Sequence, residues 1–109
     1  MKNCQNENDV ITSTSCNVLP KRFEYDKNKS ENNKIKHRVD FEEAQLLWED
    51  CDRVEITIQS ENEQRYLTIG LMHNKHWTAI ITYRGLNIRL ISVRRSREEE
   101  VEIYENGRL

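Results

Sequence analysis

Between Val54 and Arg94 the sequence alternates apolar and polar residues in four runs with short breaks, and a period of two cannot be wound into helices. Val54, Ile56 and Ile58 alternate with Arg53, Glu55, Thr57 and Gln59, which predicts a strand with one wet face. A second run, Arg65 to Met72, places Arg65, Leu67, Ile69 and Leu71 on one side. His76 to Arg84 is rich in Trp, Ile, Thr and Tyr, and Leu86 to Arg94 groups Leu86, Ile88 and Leu90. The links around His73-Asn74-Lys75 and Arg84-Gly85-Leu86 are hairpin-length, so an antiparallel meander is expected.

Helical spacing flanks this region. Arg22 to Tyr25 reads as a short aromatic strand, after which Asp26 caps a polar helix running through Lys36. Asp40 and Glu43 form a capping pattern ahead of Phe41, Ala44, Leu47 and Trp48, which recur on one helical face and leave Glu42, Glu49 and Asp50 toward water. Ser96 with Glu99 opens a last helix through Val101 and Tyr104, with Glu98, Glu99 and Glu100 where the helix dipole favours anions. The predicted class is α+β: N-terminal helices on a mainly antiparallel sheet of four to five strands, then a C-terminal helix.

The first twenty residues are rich in Asn, Ser and Thr and poor in large apolar groups, so burial would not offset their ordering entropy. Residues 1–20 are therefore expected to be a disordered extension and residues 21–109 the folded domain. Cys4, Cys16 and Cys51 are odd in number and lack a C-x-x-C pairing, and are expected to be free thiols. No apolar run is long enough for a membrane span or a secretory signal, so a cytoplasmic location is expected.

The formal net charge of -2 argues against a phosphate-binding protein, but the charge is partitioned. The stretch from Arg65 to Arg97 holds seven Lys and Arg and none of the nineteen acidic residues. Arg84, Arg89, Arg94 and Arg95 are expected to converge on one edge, offering planar guanidinium forks to phosphate oxygens beside the N–H groups of the last helix. Ion pairing with surface glutamates would explain the same residues. Arg89 interrupts an apolar pattern and needs either a partner or a ligand. Arg65 is similarly placed, and Tyr66, Trp77 and Tyr83 offer faces for base stacking, although Trp77 fits a core position better.

His73 and His76 flank a turn, but no Cys or carboxylate at ligand spacing completes a metal site, and they are expected to be exposed turn histidines. His37, after Lys36 at the end of the first helix, is favoured in its protonated form by that helix's dipole, and capping alone would account for it. No phosphate-loop, dinucleotide, nucleophile-elbow or H-E-x-x-H pattern occurs, which excludes the common nucleotide-cofactor and hydrolase signatures, and no cofactor is expected.

The order of these motifs resembles the BrnT family, the toxin half of bacterial type II toxin–antitoxin modules. Residues 22 to 105 are collinear with it. FEYD is similar to F-E-W-D, and NKIKHRVDFEEA to N-x-x-K-H-G-V-x-F-E-E-A. RYLTIG resembles R-x-x-x-I-G, and TYRGLNIRLISVRRS runs without a gap along T-x-R-G-x-x-I-R-I-I-S-A-R-R-A, with Glu100 and Tyr104 fitting E-x-x-x-Y. Three departures stand out. Lys27 replaces a Pro, Ser96 an Ala, and Arg38 a helix-ending Gly, so the turn after the first helix is expected to be altered or strained.

The resemblance implies a RelE-like fold and a metal-independent endoribonuclease that cleaves RNA and inhibits translation and growth. In it the ribose 2′-hydroxyl attacks the adjacent phosphate. Arg65, Arg84 and Arg94 would stabilise phosphate and transition state, and Lys36, Arg89 and Arg95 would hold the RNA backbone. His37, Tyr104 and Glu100 match family positions able to move protons, although Tyr104 fits equally well as a packing residue. The implied partner is a BrnA-type ribbon-helix-helix antitoxin, bound as a heterotetramer through an antitoxin dimer and itself reading operator DNA, so no sequence-specific DNA binding is expected of this chain. The rival reading is an inactive toxin fold that grips RNA or antitoxin without cleavage.

Overall fold

A computed structural model of the protein describes residues 22–58 and 61–107. The expected extension at residues 1–20, with Cys4 and Cys16, lies outside these. Strand β1 (Arg22–Glu24) leads into helix α1 (Lys27–His37) and a 3-10 helix (Glu43–Glu49). Strands β2 (Val54–Ile58), β3 (Arg65–Met72), β4 (Lys75–Arg84) and β5 (Asn87–Arg95) follow, then helix α2 (Glu98–Gly107). The five strands form one sheet in the order β1-β5-β4-β3-β2.

From β2 to β5 the sheet is the expected antiparallel meander. Met72 pairs with Lys75 across His73 and Asn74, both at positive φ, as in a type I′ turn. Gly85 (φ 62°) and Leu86 link Arg84 to Asn87, and only the first of the two has positive φ, the pattern of a type II′ turn. The sheet is nonetheless mixed, because β1 pairs in parallel with β5.

Helix α1 has almost no apolar face, and its buried residues are Ser30 and Asn33. It is docked by hydrogen bonds. Ser30 Oγ accepts from the Phe41 N–H, while the Asn33 amide donates to the carbonyls of Val39 and Val93 and accepts from the Val93 N–H. Strand β1 pairs with β5 only as far as Arg89, so Asn33 supplies beyond that point the bonds a longer edge strand would have made. The helix begins at the expected cap, with Asp26 accepting from the N–H groups of Asn28 and Lys29. It ends at Arg38 with φ 71°, the left-handed conformation that the missing glycine led one to expect.

Asp40 and Glu43 make the reciprocal capping box, but the segment after it is a 3-10 helix rather than an α-helix. Its far end is anchored, since Asp50 accepts from the Leu71 N–H, and a 3-10 helix advances about 2.0 Å per residue against about 1.5 Å for α. The seven residues, with this longer rise, run from the capping box at one tether to Asp50 at the other. Phe41, Ala44, Leu47 and Trp48 are all buried against Ile81, Ile88, Leu90 and Val93 of the sheet, and Phe23 meets Trp48 edge-on. Trp77 belongs to the same core and donates to the Met72 carbonyl.

Two smaller expectations are corrected. Cys51 is disulfide-bonded rather than a free thiol. At α2 the capping residue is Arg97, whose N–H the Glu100 carboxylate accepts, while the Ser96 hydroxyl is drawn 2.8 Å to that of Thr78 on the sheet. No helix among the described residues is long and apolar enough to cross a membrane.

Candidate functional site

Residues directly opposite one another on neighbouring strands share a face, and alternate residues along a strand share it too. Arg65 faces Ile58, Arg84 faces Asn87, Thr82 faces Arg89 and Thr78 faces Arg94. On β4, Thr78, Thr82 and Arg84 are an even number of residues apart, so Arg84, Arg89 and Arg94 project from one face. Arg65, adjacent to Tyr66 in the pair with Ile81, projects from it as well. Arg89 and Arg94 are five positions apart and would lie on opposite faces of a regular strand. A β-bulge resolves this: Ser92 pairs with Ile80 and Leu90 with Ile81, so Ile91 is the extra residue that brings Arg94 into phase with Arg89.

One row crosses this face. Thr82 donates 2.7 Å to the Gln64 carbonyl beside Arg65 and faces Arg89, which in turn faces Glu24 on β1. Helix α2 covers the other end, over Ile69, Thr78 and His76. Arg65 and Arg89 stay half-exposed and Arg84 exposed at the uncovered end.

The acid-free strands do not present bare positive charge, because neighbouring elements bring carboxylates to them. Glu24 accepts from Arg89 Nη1 at 3.2 Å and from Asn87 Nδ2 at 2.9 Å. The Asn87 bond is the main force lowering its pKa; burial opposes this, and the positive charges of Arg89 and Arg84 assist it. Glu100 accepts from both terminal nitrogens of Arg94 at 2.8 Å, from Thr78 Oγ1 and from the Arg97 N–H. Chiefly through Arg94, and against burial, these donors pull its pKa down to about 2, and the same bond raises that of Arg94. Glu63 stands 3.5 Å from Arg65. Arg84 makes no ion pair among the described residues.

The other expected site residues are scattered. Tyr104 is fully buried, its hydroxyl donating 2.7 Å to Asp50 and its ring edge-on to His76. Asp50, expected to face water, is thus an internal acceptor for Tyr104, Leu71 and Asp52. His76 is half-buried and bonded to Glu105 at 2.9 Å, unlike the exposed turn residue expected. Arg95 does not join the other arginines: it lies over the Trp77 ring on the opposite face, with Nε donating to the His76 carbonyl. Lys36 and His37 occupy the last turn of α1, one turn beyond Asn33, with no hydrogen bond to the arginine face among the described residues. The structure therefore joins Arg94 to Glu100, groups Arg65, Arg84 and Arg89, directs the hydroxyl of Tyr104, one helical turn beyond Glu100, to Asp50, and leaves His37, Lys36 and Arg95 outside both sets.

Sequence reasoning overlooked Glu24, which completes the row through Arg89, Asn87, which bonds to Glu24 from the neighbouring row, and Thr78 and Asp50, which receive α2. Glu24 was visible as a strand residue, but its place depends on a parallel pairing with a strand at the far end of the chain.

Comparison with curated proteins gives no match. The family model for BrnT, the ribonuclease toxin of a type II toxin–antitoxin system, matches residues 25–100. That interval runs from the end of β1 to Glu100 and includes every strand after the first. The chain thus belongs to the BrnT family of ribonuclease toxins of type II toxin–antitoxin systems.

Proposed function

We propose that this protein is a metal-independent endoribonuclease of RelE-like fold that arrests translation and growth in the cytoplasm by cutting RNA. The observation that carries this reading is the bulge-corrected register that aims Arg65, Arg84, Arg89 and Arg94 from a single face. RNA lies across the uncovered end, with phosphates on Arg84, Arg89 and Arg65. Guanidinium groups remain protonated throughout and stabilise the charge that accumulates as a 2′-oxygen attacks phosphorus. Arg94 borders the site, held in one orientation by Glu100. Lys36 and His37 on α1, and Arg95 on the opposite face, suit RNA strands leaving the site. The partner is a BrnA-type ribbon-helix-helix antitoxin, two toxins being carried on its dimer.

A second reading, an RNA-gripping module without cleavage, is favoured by one observation: Glu100 and Tyr104, both candidates for proton transfer, are committed to internal bonds. Incubating purified protein with an end-labelled model RNA separates the two. Cleavage to 2′,3′-cyclic phosphate and 5′-hydroxyl ends, unaffected by chelator and lost in Arg84→Ala with Arg89→Ala, is the expected result. Full cleavage by that double variant would sink the arginine-centred reading. RNA retention with no product from the wild type would establish the gripping module.

A further inference from the structure

The proposed reaction needs a group to remove the 2′-hydroxyl proton, and the arginines cannot serve, being protonated at all accessible pH values. Glu100 is buried with four donors on it, and Tyr104 is sealed beneath α2. The carboxylates at the uncovered end are Glu63, 3.5 Å from Arg65, and Glu24, which hydrogen bonds from Asn87 and Arg89 hold in place beside Arg84. Glu24 sits opposite Arg89 across the β1–β5 pair, its side chain about one-third exposed at 32%.

We propose that Glu24 is the general base of this ribonuclease, a role that rests on the reading given above. Its surroundings suit the task. Asn87 Nδ2 holds Oε2 at 2.9 Å, and Arg89 Nη1 meets Oε1 at 3.2 Å. Arg84 lies in the neighbouring row, opposite Asn87, and its charge is felt at the carboxylate. A phosphate bound by Arg84 and Arg89 draws Arg89 off Oε1. That oxygen is then open toward the ribose attached to the phosphate, while Asn87 keeps the carboxylate from rotating. The two functions are coupled by geometry, since the group that binds the phosphate is the group that covers the base until the phosphate arrives.

The 2′-hydroxyl proton passes to Glu24 Oε1 as the 2′-oxygen forms its bond to phosphorus. The bond from phosphorus to the 5′-oxygen breaks, and the departing oxygen takes a proton from water. The hydroxide left behind is neutralised by the proton on Glu24, which restores the carboxylate and leaves 2′,3′-cyclic phosphate and 5′-hydroxyl ends. Among the described residues, the charges acting on Glu24 are Arg89 from β5 and Arg84 from β4, both positive, so the carboxylate stays ionised at neutral pH.

The test uses the full chain and a short model RNA. Glu24→Gln keeps an oxygen and a nitrogen in place of the two carboxylate oxygens and is expected to cut at least about 100-fold more slowly, the usual scale for removing a general base, at unchanged or lower KM. Glu24→Ala is expected to regain activity when formate is added, which a merely structural defect would not do. Glu24→Gln cleaving as fast as wild type would overturn the assignment. Faster cleavage would overturn it too, marking Glu24 as a plug that RNA must displace from Arg89. A wild-type protein with no activity would instead sink the ribonuclease reading itself.

Discussion

The Glu100 carboxylate accepts from both terminal nitrogens of Arg94 at 2.8 Å, and this pair ties the first turn of α2 to the last residues of β5. Because Arg97 and Thr78 donate to the same carboxylate, every favourable direction around it is filled. Its pKa in the fold, about 2, is below the ordinary value of 4.5. A depressed carboxylate contributes stability that is complete above its unfolded pKa and lost as the pH falls through the folded one. Denaturant midpoints should hold from pH 7 down to about 5 and fall between about 4.5 and 2. Glu100→Ala, which strands a largely buried guanidinium, should cost about 3 kcal/mol at pH 7 and abolish much of that pH dependence.

Asn33 should matter more than a polar residue on a polar helix usually does. Its amide makes three bonds to main-chain groups, and Asn33→Ala orphans the Val93 N–H and carbonyl together with the Val39 carbonyl. A loss of about 2 to 3 kcal/mol is expected from leaving buried main-chain groups unpaired. Urea denaturation gives the magnitude, and faster hydrogen exchange at the Val93 amide gives the location. Unchanged exchange at Val93 would contradict the bridging role.

Arg38→Gly should stabilise the protein. Arg38 holds a φ of 71°, and a left-handed conformation costs a residue with a Cβ about 1 to 2 kcal/mol. Part of the relief is offset by the greater freedom glycine has when unfolded, so a net gain of about 0.5 to 1 kcal/mol is expected. Thermal melts of the two proteins at matched concentration decide it, and a lower melting temperature for the glycine variant would contradict the account.

Tyr104→Phe removes the hydroxyl that reaches Asp50 without changing the packing of the ring on His76. Asp50 keeps its bonds from Leu71 and Asp52, so the expected loss is that of one hydrogen bond to a charged acceptor, about 1.5 to 3 kcal/mol. RNA cleavage at a temperature where the variant is folded should be unchanged. A loss of cleavage without a loss of stability would return Tyr104 to the chemistry.

RNA affinity should fall with salt, by about 0.7 in the logarithmic slope for each phosphate neutralised on a single strand. Arg84→Ala and Arg89→Ala should each flatten that slope by one phosphate's worth, and Arg95→Ala should change it less. Equal slopes for wild type and both variants would place the RNA elsewhere.

Strands and hairpins were legible because their signals are local. Alternation at Val54 to Ile58, paired turn residues at His73 and Asn74, and Gly85 at a positive φ all act over a few positions. The sequence also marked Asp26 and Asp40 as caps, since each bonds within three residues. What it did not reveal is set by distance. The parallel docking of β1 on β5, the grip of Asn33 on Val93 and the reach of Tyr104 to Asp50 join residues more than fifty positions apart. The extra residue at Ile91 was invisible for a different reason: its apolar neighbours satisfy the strand pattern in either phase, and only the pairing with β4 shows where the phase slips. That slip puts Arg94 rather than Arg95 on the face of Arg89, where sequence reasoning had placed both.

The parallel pairing of β1 with β5 also sets an order of events in time. Glu24 and Arg89 are 65 residues apart, and a chain made from its N-terminus exposes Glu24 long before the strand that receives it exists. The meander can form from near neighbours, whereas the edge strand must wait for the penultimate element and then close a long loop. A nascent or truncated chain that stops short of β5 therefore cannot bring Glu24 to Arg89, however much of the meander has already formed.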